Sequence, residues 1–403
     1  MNPENVTVFS EHYWDNETTV LSALREQAAV HQARLADGIR VWVIVRYADA
    51  QAALTDQRLS KDAGRLGAVM RQQRAALGGE TALSTMFNPH MLFADDPAHA
   101  RLRSLVASQF TRRRVETLRP RVERISNELL DALPAGRPVD LLEHYAFPLP
   151  LTVICELLGV PATDRRPFRG WTAALMKDDP DVTVPASRAM ERYFTDLIRA
   201  KRQNPGDDLL SALAASDGNG DQLTFAELIG TVFLLFVAGH ETSTNMIGNL
   251  ARALLQTPGQ WCRLTSDPDL IPAAVEELLR YDSPVGFATH RVTTEPVIYG
   301  GVEIPAGEIV MVSLLSANRD PDQFSRPDQL NMTRDARSHL SFGHGIHYCL
   351  GAPLGRLEAE VSLSHLTSRF PRARLVTEFG APRRQQSAIM NGHRALWVQL
   401  SES

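Results

Sequence analysis

Apolar residues recur every three or four positions over 102–110, 115–133, 149–158, 190–202 and 270–281, with Pro134, Pro161 and Pro205 in the breaks, so the middle of the chain is predicted to be helical. Two stretches alternate instead. Asp37-Gly38 followed by Val41, Val43 and Val45 predicts an early hairpin, and 287–315 carries alternating runs divided by Gly300-Gly301. A third pattern is apolar all round. Thr224 and Glu227 have capping-box spacing, and the helix they open should continue to Thr257-Pro258-Gly259, about 30 residues and roughly 45–50 Å. Leu228, Ile229, Val232, Phe233, Leu235 and Phe236 leave it no polar face, as in a helix buried through a protein. A membrane span is not expected, because Gly230 and Thr231 interrupt an apolar stretch that is too short. The patterns add up to a mainly α chain, one unit over 1–403, with a small β-rich lobe from about 31–48 and 285–315. Segments 66–93 and 171–184, rich in Gly, Asp, Pro and Met, are expected to form a movable lid.

Composition narrows the function. The 403 residues are 44% hydrophobic with net charge −5, which gives no basic excess for nucleic acid or an anionic membrane. No apolar leader is visible before Glu26, so secretion and membrane anchoring are not expected, and the sequons Asn5-Val6-Thr7 and Asn16-Glu17-Thr18 are read as chance. Cys155, Cys262 and Cys349 are too few and too far apart for a disulfide framework or a zinc knuckle, which fits a reducing cytoplasm. Asp217-Gly218-Asn219-Gly220-Asp221 imitates half a calcium loop but lacks the later glycine and glutamate, so it is read as a turn.

Chemistry gathers at a few points. Phe342-Gly343-His344-Gly345-Ile346-His347-Tyr348-Cys349-Leu350-Gly351 sets a cysteine after a glycine-punctuated turn and before a helix-forming run with Pro353 near its start. Free N–H groups at a helix N-terminus favour a thiolate. In the apolar helix, His240 to Asn245 are six consecutive polar residues, costly to bury unless paired or hydrated. Glu277 and Arg280 share a helix face at i,i+3, and His99 and Arg103 do so at i,i+4.

The cysteine decapeptide resembles the haem-binding loop of the cytochrome P-450 family, and the run from Asp140 to Arg165, with Phe147-Pro148-Leu149-Pro150 and Ile154-Cys155-Glu156-Leu157-Leu158-Gly159, resembles its soluble bacterial, actinomycete-type branch. Ala238-Gly239-His240-Glu241-Thr242 resembles that family's acid–alcohol motif, Glu277-Leu278-Leu279-Arg280 its Glu-x-x-Arg helix, and Asp96 to Arg103 its propionate-binding segment. The resemblance implies the P-450 fold, with haem b between the central helix and the cysteine loop, and Cys349 as the iron ligand. It further implies that Thr242 hydrogen-bonds dioxygen while Glu241 relays protons, and that His99, Arg103, Arg291 and His347 bind the propionates beside Ala238 and Phe342. A structural network should join Glu277 and Arg280 to a third member. The family's arginine position holds Gln329 here, which leaves Arg334 as the substitute. Leu234, Val237, Ala238, Val285, Phe287, Ala288, Ile389 and Met390 are expected to line the substrate pocket.

The implied activity is a monooxygenase that puts one oxygen atom into a bulky apolar molecule of polyketide, macrolide, terpenoid or sterol type. Without a flavin or nicotinamide fingerprint, electrons should come from a separate ferredoxin- or flavodoxin-type donor with its reductase, which Arg112-Arg113-Arg114 could dock. A cytoplasmic monomer is expected. The rival readings are a peroxide-driven oxygenase and a non-catalytic haem-thiolate sensor or carrier. Both have less need of the Glu241-Thr242 pair.

Overall fold

The computed structural model describes residues 8–78, 89–134, 136–175, 180–215 and 222–401. The calcium-like loop at 217–221, the sequon at 5–7 and parts of both expected lid segments lie outside them. What is described of the lid is largely helical: Ala63–Ala76 buries Leu66, Gly67 and Met70, and helices Arg166–Leu175 and Pro180–Gln203 flank the second segment.

The central helix is Phe225–Leu255, and its capping box is formed on both sides: Thr224 Oγ1 accepts from the Glu227 N–H, and Glu227 accepts from the Thr224 N–H at 2.8 Å. By length and composition this helix passes as a membrane span, contrary to the expectation from Gly230 and Thr231. Its flanks, however, are protein. Its first half packs into a core with helices Pro148–Leu157 and Pro180–Gln203, and its last part into a second core with helices Ile271–Tyr281 and Ala352–Arg369. Residues 238–245 fall between the two cores and belong to neither.

The expected helix over 115–133 is instead two, Arg112–Glu116 and Arg119–Asp131, because Pro120 suits a helix's first turn and restarts it. The hairpin forms as Val30–Arg34 against Arg40–Ile44, with Gly38 at φ +85°. In one five-stranded sheet these strands continue to Ile309–Val312, Arg291–Thr293 and Leu59–Ser60, in that order. Arg40–Ile44 pairs parallel with Ile309–Val312, which joins the two β-rich stretches into one lobe. Gly300 and Gly301 turn a separate hairpin, Val297–Tyr299 with Val302–Ile304. A small sheet of Val139–Asp140, Trp397–Gln399 and Arg374–Leu375 has runs too short for alternation to reveal.

Candidate functional site

Glycine geometry shapes the cysteine loop. Gly343 and Gly345 adopt φ +72° and +74°, and a Cβ on Gly345 would meet Thr55 Cγ2 at 3.0 Å and the Leu54 carbonyl at 3.1 Å. The Tyr348 N–H donates to the Gly345 carbonyl and the Cys349 N–H to the Phe342 carbonyl at 2.8 Å, closing the loop just before helix Ala352–Arg369. Cys349 keeps exposed surface at the end of this loop although protein surrounds it closely. Burial pushes its thiol up. The N–H groups of Gly351 and Ala352, with Arg103 and Arg356, oppose this and favour the thiolate.

The central helix has an opening of its own. Leu234, Ala238 and Thr242 keep exposed surface at i, i+4 and i+8 while most residues around them are buried, so one stripe of the helix borders empty space. Thr242 Oγ1 donates to the Ala238 carbonyl at 2.5 Å. Glu241 is buried with Oε1 3.3 Å from His240 Nε2. His240 Nδ1 lies 2.7 Å from the Phe236 carbonyl, which only accepts, so Nδ1 carries hydrogen. Nε2 is then left toward Glu241, without a hydrogen-bond partner among the described residues.

Basic groups crowd one end of this space. The His99 and His347 rings meet at a tilt of 56°, with centroids 4.4 Å apart. Arg291 gives its terminal nitrogens to the Leu59 and Leu54 carbonyls, while its Nε has no partner among the described residues. His99 Nε2 and His290 Nε2 are also buried without partners among the described residues. Burial lowers the His347 imidazole, and Lys61, Arg291, His99 and Arg103 lower it further. Burial also brings Arg291 down to about 10 and His290 to about 4. Such a cradle is incomplete without anions, and two propionates would supply them, so these residues fit a haem.

Lys61 belongs to the cradle although sequence reasoning missed it. It is buried, with Nζ on Thr289 Oγ1 at 2.5 Å. No local pattern marks it, since its contacts come from other segments: Phe93 and Asp95 on one side, Thr289 and Arg291 on the other.

Glu277 and Arg280 are fully buried and bidentate, Nε to Oε2 at 2.7 Å and Nη2 to Oε1 at 2.9 Å. Arg334 Nε lies 3.2 Å from Glu277 Oε2, and its other nitrogens reach the carbonyls of Ser325, Arg326 and Gln329. Arg280 holds the Asn318 carbonyl, and the Asn318 side chain holds the Leu340 N–H and Ser341 Oγ. The network thus ends at the residue before Phe342.

Among the expected pocket residues, Val285, Ala288 and Ile389 keep exposed surface, and Met390 forms a β-bridge with Val285. Val237 is mostly buried in the core with Phe236. Phe287 departs from expectation: its ring packs edge-on against Phe9 at 5.0 Å, a core partner from the other end of the chain.

A second acid borders the polar stretch 240–245. Glu358 is buried on helix Ala352–Arg369 and accepts from Ser243 Oγ at 2.5 Å, with its other oxygen unpartnered among the described residues. Burial raises it to about 8, and Ser243 offsets only part of this. At neutral pH it is chiefly the acid form. The folded protein then binds a proton that the unfolded chain releases near 4.5, so the group's contribution to stability is complete below that pH and is lost as pH rises through about 8. Between those values the stability of Glu358→Gln should rise relative to the parent by up to about 1.4 kcal/mol per pH unit. Denaturant melts at several pH values check this, and parallel curves would refute it.

The comparisons agree with this geometry. A family model described as Cytochrome P450 matches residues 185–377. Cytochrome P450 107B1 of Saccharopolyspora erythraea is 44% identical over 98% of both chains. The chain belongs to the cytochrome P450 family. The vitamin D(3) 25-hydroxylase of Pseudonocardia autotrophica is 45% identical, covering 96% of this chain and 95% of the relative. Among solved structures, the tirandamycin C-bound P450 monooxygenase TamI superposes with TM-score 0.91 at 42% identity, over 97% of this P450 and 99% of TamI. The mainly α architecture is the P450 fold, and this P450 is a haem-binding monooxygenase of the soluble bacterial kind.

Proposed function

We propose that this P450 uses haem b to insert one atom of dioxygen into a bulky, largely apolar small molecule. The observation that carries the proposal is the open stripe Leu234-Ala238-Thr242, which presents apolar surface and a hydroxyl side by side on an otherwise buried helix. Cys349 would ligate the iron, and His99, Arg103, Arg291, His347 and Lys61 would hold the propionates. Bound haem supplies the oxygen chemistry. The protein's part is to exclude water, hold the substrate against Val285, Ala288, Ile389 and Met390, and deliver protons. Glu241, next to Thr242 on the central helix, would relay protons, and Glu358, which accepts from Ser243 Oγ, places a second acid at this stretch. The names of the relatives, a vitamin D(3) hydroxylase and a monooxygenase that binds tirandamycin C, support a large substrate.

The intact Glu241-Thr242 pair favours this reading over a peroxide-driven oxygenase or a haem-thiolate carrier. Thr242→Ala should keep haem and substrate binding while product per electron falls by about 10-fold or more, the scale of losing a positioned proton donor. Peroxide-supported turnover should be nearly unaffected. Unchanged coupling under dioxygen would defeat the proposal.

Electrons would come from a separate ferredoxin- or flavodoxin-type protein. Arg112, Arg113 and Arg114 are exposed on one short helix and would attract an acidic donor. Reduction by such a donor should slow as salt rises, because steering is screened over about 8–10 Å. A rate that ignores salt, or that survives replacement of all three arginines by alanine, would exclude this face.

A further inference from the structure

The residues that follow the oxygen-activating pair on the central helix do not end in apolar core. Asn245, Asn249 and Arg252 continue the helix at i, i+4 and i+7, and each reaches the C-terminal turn 384–393 or the residue that anchors it. Gln385 Nε2 donates to Asn245 Oδ1 at 3.4 Å, and a Cβ on Gly392 would lie only 2.0 Å from that oxygen, so the turn rests directly on the helix. Asn249 Nδ2 donates to the Asn391 carbonyl at 2.8 Å, and its Oδ1 faces His393 Nδ1 at 3.1 Å. Arg252 Nη2 pairs with Asp282 Oδ2 at 2.6 Å.

Asp282 is the knot. It is buried where helix Ile271–Tyr281 ends, and besides Arg252 it receives Asn391 Nδ2 at 2.8 Å and Arg384 Nη2 at 3.1 Å. Asn391 Nδ2 also donates to the Ser283 carbonyl at 2.6 Å, and Arg384 Nη1 to Asn391 Oδ1. Burial alone would raise the Asp282 carboxyl, but Arg384 and Arg252 hold it far below the usual carboxylate range, so it is ionised and its ion pairs persist at working pH.

Backbone pairing carries this restraint to the pocket. The Asn391 N–H donates to the Pro284 carbonyl and the Gly286 N–H to the Ile389 carbonyl, each at 2.8 Å, and Val285 bridges Met390. Two walls of the proposed pocket, Val285 to Ala288 and Ile389 to Met390, are therefore fastened to each other and to the helix that carries Glu241 and Thr242.

We infer that Asn391, Asp282 and Asn249 are specificity-positioning residues, which fix the distance between the proton-delivering stretch and the apolar grip on the substrate. They need not touch substrate. Deleting one should loosen the turn, weaken bulky ligands and leave small ones unaffected. The inference rests on the pocket reading above, and the experiment separates the two.

Imidazole and 4-phenylimidazole are titrated into the haem-loaded protein, each read as a Soret shift, and the ratio of their dissociation constants is compared among variants. Asn391→Ala and, from the helix side, Asn249→Ala should each weaken 4-phenylimidazole about tenfold relative to imidazole, with the carbon monoxide spectrum unchanged. Met390→Ala tests the wall itself. If Met390→Ala moves the ratio and both asparagine variants leave it at the parent value, the positioning role is overturned and the pocket stands. If none of the three moves it, pocket and positioning role fall together. Equal weakening of both ligands would mark a merely structural loss and would also overturn the inference. Should Asn391→Ala not fold, the ratio measured for Asn249→Ala decides by itself.

Discussion

Cys349→Ser should abolish the carbon monoxide difference band of a thiolate-ligated haem. A serine oxygen would receive the same Gly351 and Ala352 N–H groups and fit the same loop, so its backbone closure onto Phe342 should survive. What it lacks is sulfur: a serine hydroxyl is a far weaker acid than a thiol and offers the iron no thiolate. The loss is expected to be complete rather than partial, while the secondary structure seen by circular dichroism stays close to the parent's. A variant that retains the band would remove Cys349 from the metal site.

The second large effect lies away from the cavity. Glu277→Ala should destabilise the protein by about 3–5 kcal/mol and leave it largely without haem, because Arg280 would stay fully buried with its carboxylate gone. Arg334→Ala should cost less, about 1–3 kcal/mol, since Glu277 keeps Arg280 and the Asn331 N–H while the carbonyls that Arg334 binds lie near solvent. Denaturant melts with haem content measured alongside give the order. If Glu277→Ala melts with the parent, or Arg334→Ala is the worse of the two, the buried pair does not anchor the cysteine loop.

Some of this architecture was legible because its causes are local. The capping box at Thr224 and Glu227, the turn at Gly300-Gly301 and the glycine spacing before Cys349 each satisfy their own neighbours, and a short window contains the whole physical argument. Gln329 likewise announced that the third cation had to come from elsewhere, and Arg334 is the residue found against Glu277.

Lys61 and Glu358 were invisible for the opposite reason. The first gains meaning from Thr289 and Arg291, the second from Ser243, and no spacing rule links them. Phe287 shows the same limit: an apolar residue in an extended segment reads equally as pocket or core, and the choice is made by Phe9, far away in the chain. The split near Pro120 was a matter of weighing, since apolar periodicity ran through a residue that favours a new helix start.

The parallel pairing of Arg40–Ile44 with Ile309–Val312 bears on how the protein is made. During synthesis the early hairpin leaves the ribosome with an unpaired apolar edge, and the strand that covers it is translated only after about two-thirds of the chain has followed. At bacterial elongation speeds that interval is on the order of tens of seconds, long compared with hairpin formation at about 1–10 μs. Throughout it, Val41 and Val43 can meet the same edge on a neighbouring nascent chain. Arg291 and the Leu54 carbonyl come together only when this sheet closes, so haem supplied to a cell cannot be captured by half-made chains. Yield of the loaded enzyme should therefore be governed by how well the N-terminal hairpin is shielded until the last quarter of the polypeptide arrives.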